Sequence, residues 1–348
     1  MKYIGNKTRL LPFLDEVLAH EEIPLGGRAL DPFSGTAAVA RHLKSKGFRV
    51  VAGDLQAYAY VQGVAHVALN RYPDFAALGC PGRGAMGLRQ ALALLDALPG
   101  EDGFFYASYA PGGSGGARQY FSDANARKID AVRAHLTLWR AEGRLTDDGY
   151  HLLLACLIDA ADFVANMSGT YGAFLKIWRC MALKPLTLKP IRVLPSRLPH
   201  RAVQSDANRL VRQEECDLLY LDPPYTGRQY ASNFHVLETL ALGDRPPLRG
   251  KTGLRPTAGQ FSAFSRARQA PAAMQDLLAA SRARHILLSY NDEGLIPHEQ
   301  LMAMLGALGR LRVYEHDYRR FRTERDHARR RYTRPDDRVV ERIYAVRR

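Results

Sequence analysis

The sequence predicts an α/β fold: a parallel sheet closed by an antiparallel hairpin and interrupted by a mainly helical insertion. Short apolar strands alternate with helices over the first seventy residues and resume after residue 200. Between about Tyr72 and His200 the apolar spacing is helical, with no strand pattern. The last two strand-like stretches follow one another with no helix between them, as in a hairpin.

In order, "GRALDPF" reads as a short buried strand. "TAAVARHLKSKG" is a helix with Val39, Ala40 and Leu43 on one face and Gly47 as its stop, and "FRVVAGD" is the next strand. Two strands joined by one short helix imply a right-handed parallel crossover. "GLRQALALLDAL", "DANARKIDAVRAHLTLWRAEG" and "DDGYHLLLACLIDAADFVAN" are helical by period. The second aligns Ile129, Val132, Leu136 and Trp139 after a Ser122 cap. The glycine-rich "APGGSGGARQY" reads as a flexible or exposed loop. Later strands are "RAVQSD", "CDLLYLD", "RHILLSYND", "LRVYEHDYRRF" and "VVERIYAVRR", with helices near 232–242, 272–283 and 297–309. "GDRPPLRGKTGLRPTAGQ" reads as a mobile loop. The expected division is a discontinuous domain, 1–72 and 200–348, with a helical domain over 73–199.

With 348 residues, 47% hydrophobic and 24% charged, the chain can build one large core and a smaller second one. No apolar run is long enough to span a bilayer and "MKYIGNKTRL" is polar, so a cytoplasmic protein without membrane association is expected. Cys80, Cys156, Cys180 and Cys216 form no C-x-x-C pair, which predicts reduced thiols rather than disulfides or a zinc site. "PHEQL" lacks the second histidine of H-E-x-x-H, so no metal site is expected. The net charge of +14 points to a polyanionic partner. It is densest in "RRFRTERDHARRRYTR" (Arg319 to Arg334), where eight arginines face only Glu324 and Asp326.

Ligands of open α/β sheets collect at the carboxyl ends of the strands. Three such ends are acidic: Asp31 opens "DPFSGTAA", Asp54 closes "RVVAGD", and Asp222 follows "LLYL". Gly35 lets the backbone approach a ligand, and the following helix offers unpaired amides. Asp54 is placed to accept hydrogen bonds from ribose hydroxyls, although alone it could equally cap a helix. In "DPPY" two prolines fix the backbone and remove two donors, leaving carbonyls able to accept. The Asp31 loop and Asp54 together describe a nucleoside site.

The ordered set "KYIGNK" (2–7), "DPFSGTAA" (31–38), "GD" (53–54), a helical insertion, "QSDA" (204–207) and "DPPY" (222–225) resembles the α-class, Dam-like family of DNA adenine amino-methyltransferases. The resemblance implies a doubly wound, Rossmann-like methyltransferase sheet with a terminal hairpin, an inserted target-recognition domain, S-adenosylmethionine as cofactor and double-stranded DNA as partner. By the same resemblance Tyr3 and Lys7 belong to the N-terminal cofactor motif. Asp31, Pro32, Phe33, Ser34, Gly35 and Thr36 form the loop under the methionine part, Asp54 with Leu55 binds the ribose, and Asp206 lies beside the cofactor adenine. Asp222, Pro223, Pro224 and Tyr225 form the catalytic loop, with Asp222 also at the cofactor. One position departs: Ala37 stands where the family often has a second glycine.

The resemblance also explains what DPPY does. An adenine amino group is a poor nucleophile, because its lone pair is delocalised into the ring. Asp222 and the Pro223 carbonyl, each accepting one amino hydrogen, push the nitrogen towards tetrahedral geometry, and Tyr225 stacks on the base. Positioning supplies up to ~7–11 kcal/mol. The adenine must be flipped out of the duplex. "NMSGTYGAFLKIWRCMALKPLTLK" (166–189) resembles the family's target-recognition hairpin, so Tyr171, Phe174 and Lys176 are expected to contact DNA or to form local core. Tyr230 and Asn233 are expected near the cofactor or the target base, Arg228 with them on DNA, and Arg329, Arg330 and Arg331 on phosphates. His235 is expected to be a surface or packing residue. A restriction-modification system, with a cognate endonuclease as partner, or an orphan enzyme is the expected setting. An RNA adenine methyltransferase and a non-catalytic DNA-binding protein on the same scaffold are the alternatives. The helical insertion favours DNA, and the intact Asp222 to Tyr225 loop favours catalysis.

Overall fold

The computed structural model of the chain describes residues 7–116, 118–319 and 338–348. Tyr3, Arg329, Arg330 and Arg331, and most of the arginine-rich stretch, lie outside them. The described strands are β1 (Arg28–Asp31), β2 (Arg49–Asp54), β3 (Arg201–Gln204), β4 (Leu218–Leu221), β5 (His285–Asn291), β6 (Arg310–Arg319) and β7 (Arg338–Arg347). All coincide with stretches in which the sequence shows a strand pattern. They form one sheet in the order β3-β2-β1-β4-β5-β7-β6. β1 runs parallel to β2 and β4, and β4 runs parallel to β5. β7 is antiparallel to both β5 and β6, which makes the terminal hairpin.

The central strands explain their own composition. Every residue of β4 and β5 is buried, so "LLYL" and "HILLSYN" read as continuous apolar runs rather than alternating ones. Against one face pack the helices Ala207–Gln213, Ala270–Ala280 and His298–Gly306, burying Leu210, Met274, Leu277, Leu301 and Leu305 with Leu219, Leu221, Ile286 and Leu288 of the sheet. The first crossover is as expected. Helix Ala38–Ser45 buries Val39, Ala40 and Leu43, and Gly47, at φ 89°, turns the chain into β2. The helix Leu11–His20, with a proline in its first turn and Phe13, Leu14, Val17 and Leu18 buried, had no counterpart in the sequence reading.

The chain divides into two compact units. The sheet unit comprises Asn6–Leu55, Val203–Tyr230 and Gln260–Arg348. The helical unit comprises Gln56–Ala202 and Ala231–Gly259. This differs from a split at 73 and 199, because 56–72 and 231–259 join the helices. The reason is a long-range tie. The buried Glu238 carboxylate accepts the backbone N–H groups of Ala57 (3.0 Å) and Tyr58 (3.1 Å) at a helix N-terminus, where orphan amides favour an anion. Within the same unit the helices Ala85–Ala97, Asp123–Ala141 and Asp147–Val164 match the periodic stretches, and Ser122 caps the second through the N–H of Asn125.

The Pro- and Gly-rich stretch after Gly243 is tied to the helices by side-chain contacts. The buried Arg255 guanidinium forks onto Asp244 (3.0 and 2.8 Å) and reaches Thr239 Oγ1 (3.1 Å). Arg118 donates to the carbonyls of Lys251 and Gly250. Among the described residues no helix is long and apolar enough to cross a membrane.

Candidate active site

Asp54 ends β2, Asp31 ends β1 and Asp222 follows β4, so three adjacent strands deliver three carboxyl groups to one edge of the sheet. The order reverses between β1 and β4, which is the switch point where open α/β sheets bind ligands. Asp31 is fully buried and accepts the Phe33 N–H at 3.3 Å. Burial pushes its carboxyl well above the usual range, and the charges of Asp222 and Asp54 push in the same direction. Three acids so arranged favour a cationic guest.

The DPF turn and the end of β2 are fastened together. Ser34 N–H donates to the Gly53 carbonyl (2.8 Å), and Gly35 N–H donates to Asp54 Oδ2 (2.9 Å). Gly53 makes this approach possible, since a Cβ there would stand 2.2 Å from Leu210 Cδ2 and 3.3 Å from Pro32 Cα. Pro32 is buried, Phe33 meets Phe264 edge-on at 5.0 Å, and Thr36 is half-buried in the same turn. Ala37, at φ 59°, adopts the left-handed conformation while wholly enclosed, and its N–H closes the turn on the Ser34 carbonyl. The backbone shape that a glycine would give is therefore retained without one. From the neighbouring strand, Ser205 N–H donates to the Asp54 carbonyl (2.9 Å) and Gln204 Nε2 to the Leu55 carbonyl (3.3 Å). Asp206 caps helix Ala207–Gln213 by accepting the Arg209 N–H.

Beyond β4, Asp222 meets Lys7. The Lys7 ammonium lies 3.2 Å from Asp222 Oδ1 and also hydrogen-bonds Glu341 Oε1, which accepts Ser289 Oγ at 2.6 Å. Lys7 is 6% exposed and Glu341 is 2% exposed. Burial opposes the Lys7 charge, but Asp222 and Glu341 prevail and hold its pKa well above the ordinary value. Burial pushes the Asp222 carboxyl up to about 7, with Lys7 opposing and Glu341 adding to the rise. Tyr225 stands with Lys7 5.8 Å from its ring centroid, meets Tyr290 edge-on at 6.1 Å, and accepts the Leu295 N–H on its carbonyl. Burial, with Tyr225 and Asp222 as neighbours, raises the Tyr230 hydroxyl so that it stays protonated. Arg228 is exposed, and its carbonyl accepts Ser265 Oγ at 3.4 Å.

The sheet unit thus gathers Lys7, Asp31, Asp54, Asp222, Tyr225 and Tyr230. Glu341 and Ser289 escaped the sequence reading. The signal for Glu341 was a carboxylate within "VVERIYAV", sharing by period two a face with Ile343.

Asn233, Tyr171, Phe174 and Lys176 belong to the helical unit. The expectation of a DNA contact at Tyr171 is corrected: its ring is 0% exposed, its hydroxyl faces Asp162 Oδ1 at 3.4 Å, and its carbonyl accepts Tyr120 OH (2.6 Å). Its N–H donates to the Asn233 carbonyl. The packing option holds for this aromatic. Phe174 is half-buried edge-on to Tyr120, and it pairs with Met167 across a one-bridge hairpin that leaves Lys176 exposed. His235 is a packing residue, 3.0 Å from the Tyr171 carbonyl, and burial pushes its imidazole down to about 4.

A central sheet with acids at its switch point, followed by Asp-Pro-Pro-Tyr, defines an α/β enzyme of the methyltransferase class. The family model of D12 class N6 adenine-specific DNA methyltransferases matches residues 3–304, and the chain belongs to that family. It is 35% identical over 331 residues to the type II methyltransferase M.NlaIII of Neisseria lactamica, covering 93% of each chain. It is also 35% identical over 330 residues to the type II methyltransferase M.FokI of Planomicrobium okeanokoites, and 34% over 308 residues to the modification methylase StsI of Streptococcus sanguinis. Those two are longer: the matched region is 93% of this chain but 50% of M.FokI, and 88% of this chain but 46% of StsI.

Proposed function

We propose that the protein transfers a methyl group from S-adenosylmethionine to the exocyclic nitrogen of an adenine flipped out of double-stranded DNA, at a specific sequence and as the modification activity of a type II restriction-modification system. The observation that carries this is the buried Lys7–Asp222 pair immediately after β4, at the edge that also holds Asp31 and Asp54. S-adenosylmethionine supplies an electrophilic methyl group on a sulfonium. The chain's residues fit such a cation: Asp54 takes the ribose hydroxyls, the Asp31 to Gly35 turn with Thr36 lies under the methionine part, and Lys7 and Asp206 complete that side.

Asp222 and the Pro223 carbonyl accept the two amino hydrogens of the adenine. Tyr225 stacks on the base, returning ~1–3 kcal/mol of the few lost on unstacking. Pro224 keeps the loop from continuing as a helix. As the nitrogen is alkylated it becomes acidic, and the Asp222 carboxylate is the acceptor held against it. Arg228, Tyr230, Asn233, Phe174 and Lys176 are proposed DNA contacts, and Arg329, Arg330 and Arg331 phosphate contacts in keeping with the +14 charge. The relatives named type II methyltransferases and modification methylases support the restriction-modification setting.

Single-molecule sequencing of DNA from cells expressing the wild type or Asp222→Ala tests the proposal. Methylated adenines at one motif, present with the wild type and missing with the variant, are expected. Unmodified DNA from the wild type, alongside methyl acceptance by RNA in vitro, overturns it.

A further inference from the structure

We propose that Glu341, steadied by Ser289, is a positioning residue for methyl transfer: it holds the Lys7 ammonium on Asp222 Oδ1, so that the other carboxylate oxygen is presented to the adenine amino group. This rests on the reading that Asp222 accepts an amino hydrogen. The four groups come from separate elements: Lys7 from the turn Lys7–Leu10, Asp222 from the end of β4, Ser289 from β5 and Glu341 from β7. β4, β5 and β7 are consecutive in the sheet, and Glu341 pairs with Asn291 of β5 in register, two residues from Ser289. The Lys7 and Ser289 contacts both fall on Glu341 Oε1, so two donors converge on one oxygen.

A purely structural role does not explain two acids. Burying one ammonium calls for one carboxylate, and a second buried carboxylate is a cost unless it does something else. Glu341 supplies that reason. It gives the lysine ammonium a second hydrogen-bonded anchor besides Asp222, so the ammonium stays in place when the catalytic carboxylate turns to the base. The charged and titratable groups around Asp222 are Lys7, Glu341, Asp31, Asp54, Tyr220, Tyr225 and Tyr230. Among the described residues Lys7 is the one cation of this group, and the division of its charge between two acids bears on how readily Asp222 ionises.

The test uses the full chain, with saturating S-adenosylmethionine and duplex DNA carrying the target motif, and follows kcat and KM against pH for Glu341→Gln and Ser289→Ala. The glutamine keeps an oxygen for Lys7 but removes one negative charge beside Asp222. Activity requires the ionised aspartate, so its acidic limb is expected to move to lower pH by about one unit. kcat at the plateau is expected to fall roughly 10- to 100-fold from the loosened lysine, with KM for DNA within twofold. Ser289→Ala keeps the Glu341 charge but removes the hydroxyl that offsets it, so the limb is expected to move the other way, slightly to higher pH, with a smaller fall in kcat, and it serves as the measurement should Glu341→Gln fail to fold. A wild-type profile, or a uniform loss at every pH with the limb unmoved, overturns the proposal. Asp222→Asn is run alongside. If it turns over like the wild type, the reading of Asp222 itself fails; if it is inactive while Glu341→Gln keeps the wild-type profile, only the role of Glu341 fails.

Discussion

Lys7 Nζ lies 3.2 Å from Asp222 Oδ1, so the turn entering the first helix and the loop leaving β4 meet in a buried ion pair. Replacing Lys7 by Met leaves two buried carboxylates without a counter-ion, and breaking such a pair costs about 3–5 kcal/mol. The loss has a pH signature. In the variant the Asp222 carboxyl, already raised by burial, loses the cation that opposes the rise, so its folded pKa moves further above the unfolded value and stability falls as pH rises from the unfolded value towards the folded one. Urea denaturation is therefore expected to show a larger deficit at pH 8 than at pH 5. Equal deficits would contradict the pairing.

In the proposed reaction Asp222 acts as the carboxylate, and burial raises its pKa to about 7 despite Lys7. The wild-type kcat/KM is expected to fall as pH drops through about 7, since this quantity reports the free enzyme. Asp222→Asn keeps the shape but presents a donor, and a loss of roughly 10²–10⁴-fold is expected at pH 8. An acid limb persisting in residual Asp222→Asn activity assigns the titration to another group.

At Ala37 three small effects compete. The left-handed conformation costs an alanine roughly 1–2 kcal/mol, which glycine removes. Glycine loses about 0.5–1 kcal/mol in backbone entropy and about 0.8 kcal/mol for the buried methyl. Ala37→Gly is thus expected to lie within about 1 kcal/mol of the wild type, whereas the β-branched Ala37→Val is expected to destabilise by more than about 2 kcal/mol. Thermal melts of both variants decide it, and a well-tolerated valine would rule out the strained turn.

Tyr171 and Lys176 share one segment but not one fate. Tyr171→Ala removes a wholly buried ring and is expected to cost about 3–5 kcal/mol of stability. Lys176→Ala, at an exposed position, is expected to leave the melting temperature unchanged while lowering the salt slope of DNA binding by about one. Normal stability in Tyr171→Ala would show that its enclosure has been misjudged.

The strands, the Ser122 cap and the Asp-Pro-Pro-Tyr corner were legible because each is written locally, in period, in a capping residue or in prolines. Glu341, Ser289 and the tie from Glu238 to Ala57 were not, because their meaning lies in partners far along the chain. In the 243–259 stretch the prolines and glycines are visible in sequence, but the burial of Arg255 between Thr239 and Asp244 is not. Tyr171 was ambiguous in sequence, since an aromatic in a glycine-rich turn suits a core or a contact equally.

β7 follows β6 in the chain yet lies between β5 and β6. On the ribosome, β6 therefore emerges with no place beside β5, and both edges wait for the later strand that also brings Glu341. Until that strand slots in, a half-made chain has neither a closed sheet nor the second acid on Lys7, so the proposed site is complete only with the last of the sheet to be translated.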